Sequence, residues 1–392
     1  MRNFFGSIGR LLLREVKLII KDHSLLLTLL IAPLLYAFFY GSIYSYKVEE
    51  EVALAVVDAD QSQLSRMFTE QLDNTQLVEV IAATNLQDAQ EKMYRGECQG
   101  YLYIEKGMEA NILAIQQSNV VLTVNAARFL PSSELVATVT QVSLTIGAGV
   151  RLKYNEMKGL NSTMALQETQ PVSVDYRPLY NVRSSYGDFL LPGVLALILQ
   201  QTLLLGLSGS VALDKQNRQI PALVQTGGGS LSATLWGKGL FYLLLFAAYA
   251  TFFLLVNFNI LELTFQGTAF NTGVTMLLFL LCLIPMGVWL GSLFPNQLLA
   301  AQLMAFSTYP FFLIAGYVWP YAALPVPVQW LSVLLPITPF LRMYQSVVQT
   351  GGTLQENTGP ILHLLLLWVF YVLLALLGLR RVNRKQSQAA QG

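Results

Sequence analysis

The residues able to do chemistry are few. Asp58 and Asp60 form the only close pair of carboxylates at a strand end, a spacing that general acid–base catalysis could use. Both precede a helix start, where a capping or turn role is the favoured reading. Two cysteines, Cys98 and Cys282, lie far from any C-x-x-C, and His23 and His363 do not complete a usual zinc set. Gly237-Lys238 is the nearest approach to a phosphate-binding loop. Gly239 follows where Ser or Thr is needed, and Ser232 stands where the first glycine should be. Gly227-Gly228-Gly229 has no dinucleotide spacing, and neither G-x-S-x-G nor H-E-x-x-H occurs. The chain carries no catalytic or cofactor-binding signature of its own.

The elements around these residues are mostly apolar. Of 392 residues, 54% are hydrophobic and 12% charged, about half the roughly 25% charged share of a globular chain. A disordered chain is excluded, and a soluble enzyme is disfavoured. The net charge of +1 gives no global field for nucleic acid. Six runs reach the roughly 20 apolar residues needed to span a bilayer: Leu25–Tyr44, Phe189–Leu213, Leu240–Val256, Val274–Leu293, Leu298–Val318 and Ile361–Leu379. The fourth and fifth are joined by so short a link that a helical hairpin is expected. The Pro-rich stretch 319–342 is too short to span again. It reads as a re-entrant or interfacial segment, with a seventh span or a buried loop as the other readings. The run near the N-terminus begins only after residue 23 and reads as an uncleaved anchor.

Charge orients the spans. The three segments expected on one side (N-terminus, 214–238 and tail) hold twelve cations and three acids, Glu15, Asp22 and Asp214. The stretch from Lys47 to Tyr186 holds eleven cations and seventeen acids. Basic segments stay cytoplasmic, so both termini are expected inside and residues 47–186 outside. Residues 1–23 alternate Arg10, Arg14, Lys17 and Lys21 with Ile8, Leu11, Leu12, Val16 and Ile19. This pattern fits a basic amphipathic helix on an anionic leaflet, or simply a positive flank of the first span (24–46). Within 47–186, strands are expected at Val52–Val57, Leu77–Ile81, Gly100–Ile104 and Asn111–Ile115, with helices at Ser62–Leu72 and Leu86–Tyr94. A long helix is expected from Val120 to Lys158, broken near Pro131. The predicted fold is an α-helical polytopic membrane protein, six spans plus an outer re-entrant segment, with an inserted extracytoplasmic α/β domain. Residues 187–379 form the five-span bundle and 380–392 a basic cytoplasmic tail. Intramembrane charge is nearly missing. Gln200 and Gln201 are the conspicuous polar pair, suited to a helix–helix hydrogen bond or, less readily, to a substrate contact.

This order of parts resembles the permease subunits of ABC type-2 exporters, in the branch with a large extracytoplasmic domain after the first span. Three stretches carry the resemblance: Val56-Val-Asp-Ala-Asp-Gln-Ser-Gln-Leu-Ser-Arg66, Phe189-Leu-Leu-Pro-Gly-Val-Leu-Ala196 after Tyr180-Asn181, and Ala315-Gly-Tyr-Val-Trp-Pro320 through Leu335-Pro-Ile-Thr-Pro339. The family has a Gly-Thr pair in the loop after the second span, where Ile220-Pro221 stands here. The resemblance implies a short helix in that loop gripped by separate ABC ATPase subunits, with Asp214, Arg218, Pro221, Leu223 and Thr226 as coupling residues. It implies ATP and magnesium in the partner ATPase and none in this chain. It implies a second permease copy or a related permease, with a path between them lined by Gln200, Gln201, Gln302 and Tyr309. Trp319, Pro320, Pro325, Pro336 and Pro339 would form an outer gate or, as readily, a structural plug. A bacterial inner membrane is the implied location, and a periplasmic adaptor is a further implied partner. The rival reading is a membrane-anchored receptor or scaffold whose outside domain binds a partner. A membrane enzyme using the outside acids is weaker.

Overall fold

A computed structural model describes residues 2–44, 49–170, 177–182 and 184–389, with side chains described from residue 6. The expected boundary at 46/47 and the last residues of the tail lie outside the described residues. The chain divides into two compact units, Tyr46–Arg177 and the remainder. The remainder opens with α1 (Arg2–Lys21) and α2 (His23–Ile43). Asp22 separates them by accepting hydrogen bonds from the backbone N–H groups of Ser24 and Leu25. Pro33 removes the N–H that Leu29 O would otherwise accept, and a π-turn occupies Leu27–Ile31. The Tyr249 hydroxyl supplies the missing donor, at 2.9 Å from Leu29 O and 3.1 Å from Leu30 O.

In the unit Tyr46–Arg177 the elements are β1 (Val52–Asp58), α3 (Gln63–Asp73), β2 (Val78–Ala82), α4 (Leu86–Arg95), β3 (Gly100–Ile104), α5 (Met108–Leu113), β4 (Val120–Val124), α6 (Phe129–Met157) and α7 (Ser162–Thr169). The sheet order is β2-β1-β3-β4; β1 runs parallel to β2 and β3, and β4 is antiparallel to β3. The two-residue period of a strand splits β1 between two cores. Leu54 and Val56 pack with Phe68 and Leu72 of α3 and with Leu135, Val139 and Ile146 of α6. Ala55 and Val57 pack with Ala89 of α4 and with Cys98. Three expectations are corrected. Residues 111–115 are not a strand, because α5 is fixed by a distant cap: Asp60 accepts from Gly107 N (2.6 Å) and Glu109 N (3.0 Å). Residues 120–124 are not helical, because the run Val-Val-Leu-Thr-Val suits a pleated edge. Pro131 does not break α6; it sits in the first turn, where no intrahelical N–H is needed. Asp58 closes the β1–α3 turn, accepting from Asp60 N, Gln61 N and Ser65 Oγ.

The rest of the larger unit is α8 (Tyr186–Gln216), α9 (Ile220–Thr226), α10 (Leu231–Ile260), α11 (Ala269–Leu293), α12 (Gln297–Ile314), α13 (Val326–Val333), α14 (Ile337–Gln349) and α15 (Thr358–Ala389). Its axis is α8: 89% of its most apolar stretch is buried, against 22–61% in the other long helices of this unit. Both α11 and α12 pack chiefly on α8 or α15 rather than on each other. The expected α11–α12 hairpin is a tight link between two helices that share α8 as a partner, with α11 also packed on α15. Gly193 marks one close approach: a Cβ there would lie 2.4 Å from the Tyr317 ring. That ring stacks on Phe189 and donates its hydroxyl to Phe189 O at 2.6 Å. The Phe189–Ala196 and Ala315–Pro320 stretches thus meet at one joint. Among the described residues seven helices are long and apolar enough to cross a membrane. Six coincide with the expected spans, and the seventh is α6, whose buried stripe faces the sheet. The chain is a polytopic helical membrane protein.

Candidate functional site

The loop after α8 folds as the sequence demands. Arg218 adopts a positive φ of 53°, which turns the chain out of α8. Pro221 occupies the first turn of α9, where its missing N–H leaves no bond unmade. Gly228 and Gly229, both at positive φ, end the helix, and Ser230 caps α10 through the Ala233 N–H. One face of α9 is apolar and buried: Ile220, Leu223 and Val224 pack with Leu11 of α1 and Val382 of α15. The other face leaves Arg218, Ala222 and Gln225 exposed. Leu223, expected as a coupling contact, points into the chain and anchors α9. Thr226 is half-buried and donates to Ala222 O at 2.9 Å. Asp214 is fully buried, so its charge is used inside the chain and not on the loop surface.

Asp214 belongs to a cluster of buried polar groups that joins α1, α8 and α10. Lys238 Nζ lies 2.7 Å from each of Glu15 Oε2, Ser210 Oγ and Asp214 Oδ2. Tyr242 donates to Glu15 Oε1 at 2.8 Å, and Ser210 Oγ donates to the same oxygen. Arg14 closes the cluster from the rim, 2.5 Å from Asp214 Oδ1 and 2.7 Å from Gln219 Oε1. Two cations meet two carboxylates, so the formal charge sums to zero. Every carboxylate oxygen has a donor, which is the condition under which buried charge is tolerated. Glu15, Asp214 and Lys238 are at most 3% exposed. Gly237, beside Lys238, lets α1 come close: a Cβ there would be 2.6 Å from Leu11 Cδ1. The near-match to a phosphate loop at Gly237-Lys238 is a helix-packing joint and an ion pair.

The residues expected along a path are distributed over two environments. Gln200 is 3% exposed inside the bundle, and its Oε1 has no hydrogen-bond partner among the described residues. Gln201 is half-buried, while Gln302 and Tyr309 stand on the exposed face of α12. Tyr309 shares a 2.7 Å hydroxyl bond with Tyr40 of α2. The segment expected at 319–342 contains α13 and the start of α14, which runs on to Gln349; the two helices are bent by 83°. That is the geometry of a broken span or a re-entrant element. Trp319, Pro320 and Pro325 are exposed; Pro336 and Pro339 are buried at the bend. Pro325 and Pro336 each precede a helix start. Phe340 of α14 stacks on Phe279 of α11 with ring centres 3.7 Å apart, which pins the bent pair to the bundle.

Glu15, Ser210, Lys238 and Tyr242 went unrecognised in the sequence as one site. One signal was available for Glu15: Ser7, Leu11, Glu15 and Ile19 recur every four residues and are the buried stripe of α1. A carboxylate on that stripe requires a cation from elsewhere.

The comparisons with known proteins agree with this architecture. Residues 23–377 match the family model described as ABC-2 family transporter protein. The chain is 20% identical over 357 residues to the Probable multidrug ABC transporter permease YbhS of Escherichia coli K12, covering 88% of this chain and 89% of that protein. The same protein in Escherichia coli O157:H7 matches equally. With nearly its whole length matched, the chain belongs to the ABC-2 family of transporter membrane proteins.

Proposed function

We propose that the chain is the membrane-spanning permease subunit of an ATP-driven exporter, working with a second copy or a related permease and with two cytoplasmic ATPase subunits. The observation that carries this reading is α9: a short loop helix with an exposed outer face and a buried inner face wedged between α1 and α15. Arg218, Ala222 and Gln225 form the ATPase-facing surface. Leu223 anchors the helix, and Asp214 ties the end of α8 to Lys238 and Arg14. ATP-driven closure of the partner subunits displaces α9. The apolar wedge and the ion cluster pass that displacement to α1, α8 and α10 together. ATP and magnesium belong to the partner, and this chain makes and breaks no covalent bond.

The bundle has both termini in the cytoplasm of a bacterial cell, and the unit Tyr46–Arg177 lies outside, where it can meet a periplasmic adaptor. The path runs beside α8 and α12, with Gln200 and Gln201 on the first and Gln302 and Tyr309 on the second. The bent pair α13–α14 forms its outer gate. The Escherichia coli relative is described as a probable multidrug permease, and drugs are the substrate class carried over from it. The test is purification in mild detergent from the native host, with mass spectrometry of what accompanies the protein. An ATPase subunit accompanies the wild type and is lost from an Arg218→Glu, Gln225→Glu variant whose elution profile is unchanged. A wild type that is intact, folded and free of any ATPase at native expression overturns the reading.

A further inference from the structure

A cavity of about 430 Å³ opens between the ends of α8, α11 and α15, and Val382, which packs on the inner face of α9, is part of its wall. Three cations line it: Lys215, Arg381 and Lys385. Its lining contains no carboxylate. Lys215 is committed to the protein, because its ammonium caps the end of α11 through Ser292 O (2.7 Å), Leu293 O (3.2 Å) and Phe294 O (2.9 Å). Arg381 and Lys385 make no hydrogen bond or ion pair with any described residue.

The cavity is built by one face of α15. Leu374, Leu377, Gly378, Arg381 and Lys385 recur at helical spacing, so an apolar stripe continues without a break into a cationic one. Trp289 of α11 adds an aromatic wall at the join. Gly378 is needed there, since a Cβ would lie 2.2 Å from Ser292 Oγ. An anion that bound only the cations would leave the Leu374–Leu377 wall unused. A molecule with a negative head and an apolar tail satisfies both halves, and the polarity changes where a membrane-spanning helix leaves the hydrocarbon.

We propose that this cavity is a binding site for an anionic phospholipid, its phosphodiester held by Arg381 and Lys385 and its acyl chain laid along Leu374 and Leu377. Its lining includes none of Arg218, Ala222 and Gln225, the residues expected to meet an ATPase, and the site requires only that α15 spans the membrane.

The test uses the full chain in nanodiscs of phosphatidylcholine with and without about one-fifth phosphatidylglycerol, followed by native mass spectrometry of retained lipid. Three proteins are compared: wild type, Arg381→Gln/Lys385→Gln, and Arg380→Gln/Arg384→Gln. The last pair removes the same charge from positions outside the cavity. The wild type retains phosphatidylglycerol in preference to phosphatidylcholine. The cavity variant loses roughly 30-fold in that preference, from the loss of two surface cations, and the control keeps it. Equal loss in both variants, or no loss in either, overturns the site. Displacement of the lipid by millimolar inorganic phosphate overturns the lipid as the occupant. Loss of an accompanying ATPase from the cavity variant, with lipid retention unchanged, also overturns it and makes the cavity part of the subunit interface.

Discussion

Replacing Lys238 with Met tests the ion cluster most directly. The ammonium stands 2.7 Å from carboxylate oxygens of both Glu15 and Asp214, and all three side chains are nearly solvent-free. At an effective dielectric constant near 20, each contact at that separation amounts to about 6 kcal/mol of Coulomb attraction. The desolvation of the ions offsets most of that, so the intact cluster adds little net stability. Removing its centre is different. Asp214 keeps Arg14, but Glu15 keeps only the hydroxyls of Ser210 and Tyr242. An uncompensated buried carboxylate costs about 3–5 kcal/mol. The assay is unfolding in mixed detergent micelles, followed by tryptophan fluorescence, for Lys238→Met, Glu15→Gln and the two combined. The double variant should recover much of the loss, with a coupling of roughly 1–3 kcal/mol. Strict additivity, or a Lys238→Met protein as stable as the wild type, would refute the reasoning.

On α9, Leu223→Asp places a carboxylate among Leu11, Ile220 and Val382 and should destabilise the bundle by roughly 3 kcal/mol or more. Arg218→Glu, on the exposed side, should leave the unfolding midpoint in place and reduce only ATPase co-purification. Gly193→Ala drives a methyl into the Tyr317 ring and should lower stability by about 1–3 kcal/mol; combined with Tyr317→Ala the losses should fall well short of additive in the same unfolding assay. The Ser62 hydroxyl and the backbone N–H groups of Glu109 and Gly107 hold the Asp60 carboxyl below the usual carboxylate range. Its contribution is therefore full above the unfolded value of about 4 and is lost as pH falls through the lower folded value. Thermal melts of wild type and Asp60→Asn should differ at pH 7 and converge in acid.

How much was legible depended on whether a pattern closed locally. Long apolar runs disclosed six helices, and Ser62-Gln-Leu-Ser65 disclosed the start of α3, because span length and an N-cap are local properties. The helix α5 was misread as a strand, since its cap, Asp60, lies 49 positions before Glu109. The ion cluster was invisible for the same reason. Glu15 and Lys238 are separated by 223 positions, and each sits in a stretch that, taken alone, looks like a solvated flank. The inward turn of Leu223 depended on Val382, a residue of the last helix. Residues whose partners are remote disclose only that they need one.

The helix α6 has a consequence for how the chain is made. It is long and apolar enough to enter a bilayer, yet its stripe of Leu135, Val139 and Ile146 belongs against the sheet. All four strands precede it, ending at Val124, five residues before Phe129. During synthesis the acceptor surface therefore leaves the ribosome first, and a chain folds from its N-terminal side as it emerges. Gene order thus puts the sheet ahead of α6 in the chain, so that an apolar acceptor made of protein precedes the helix that needs one.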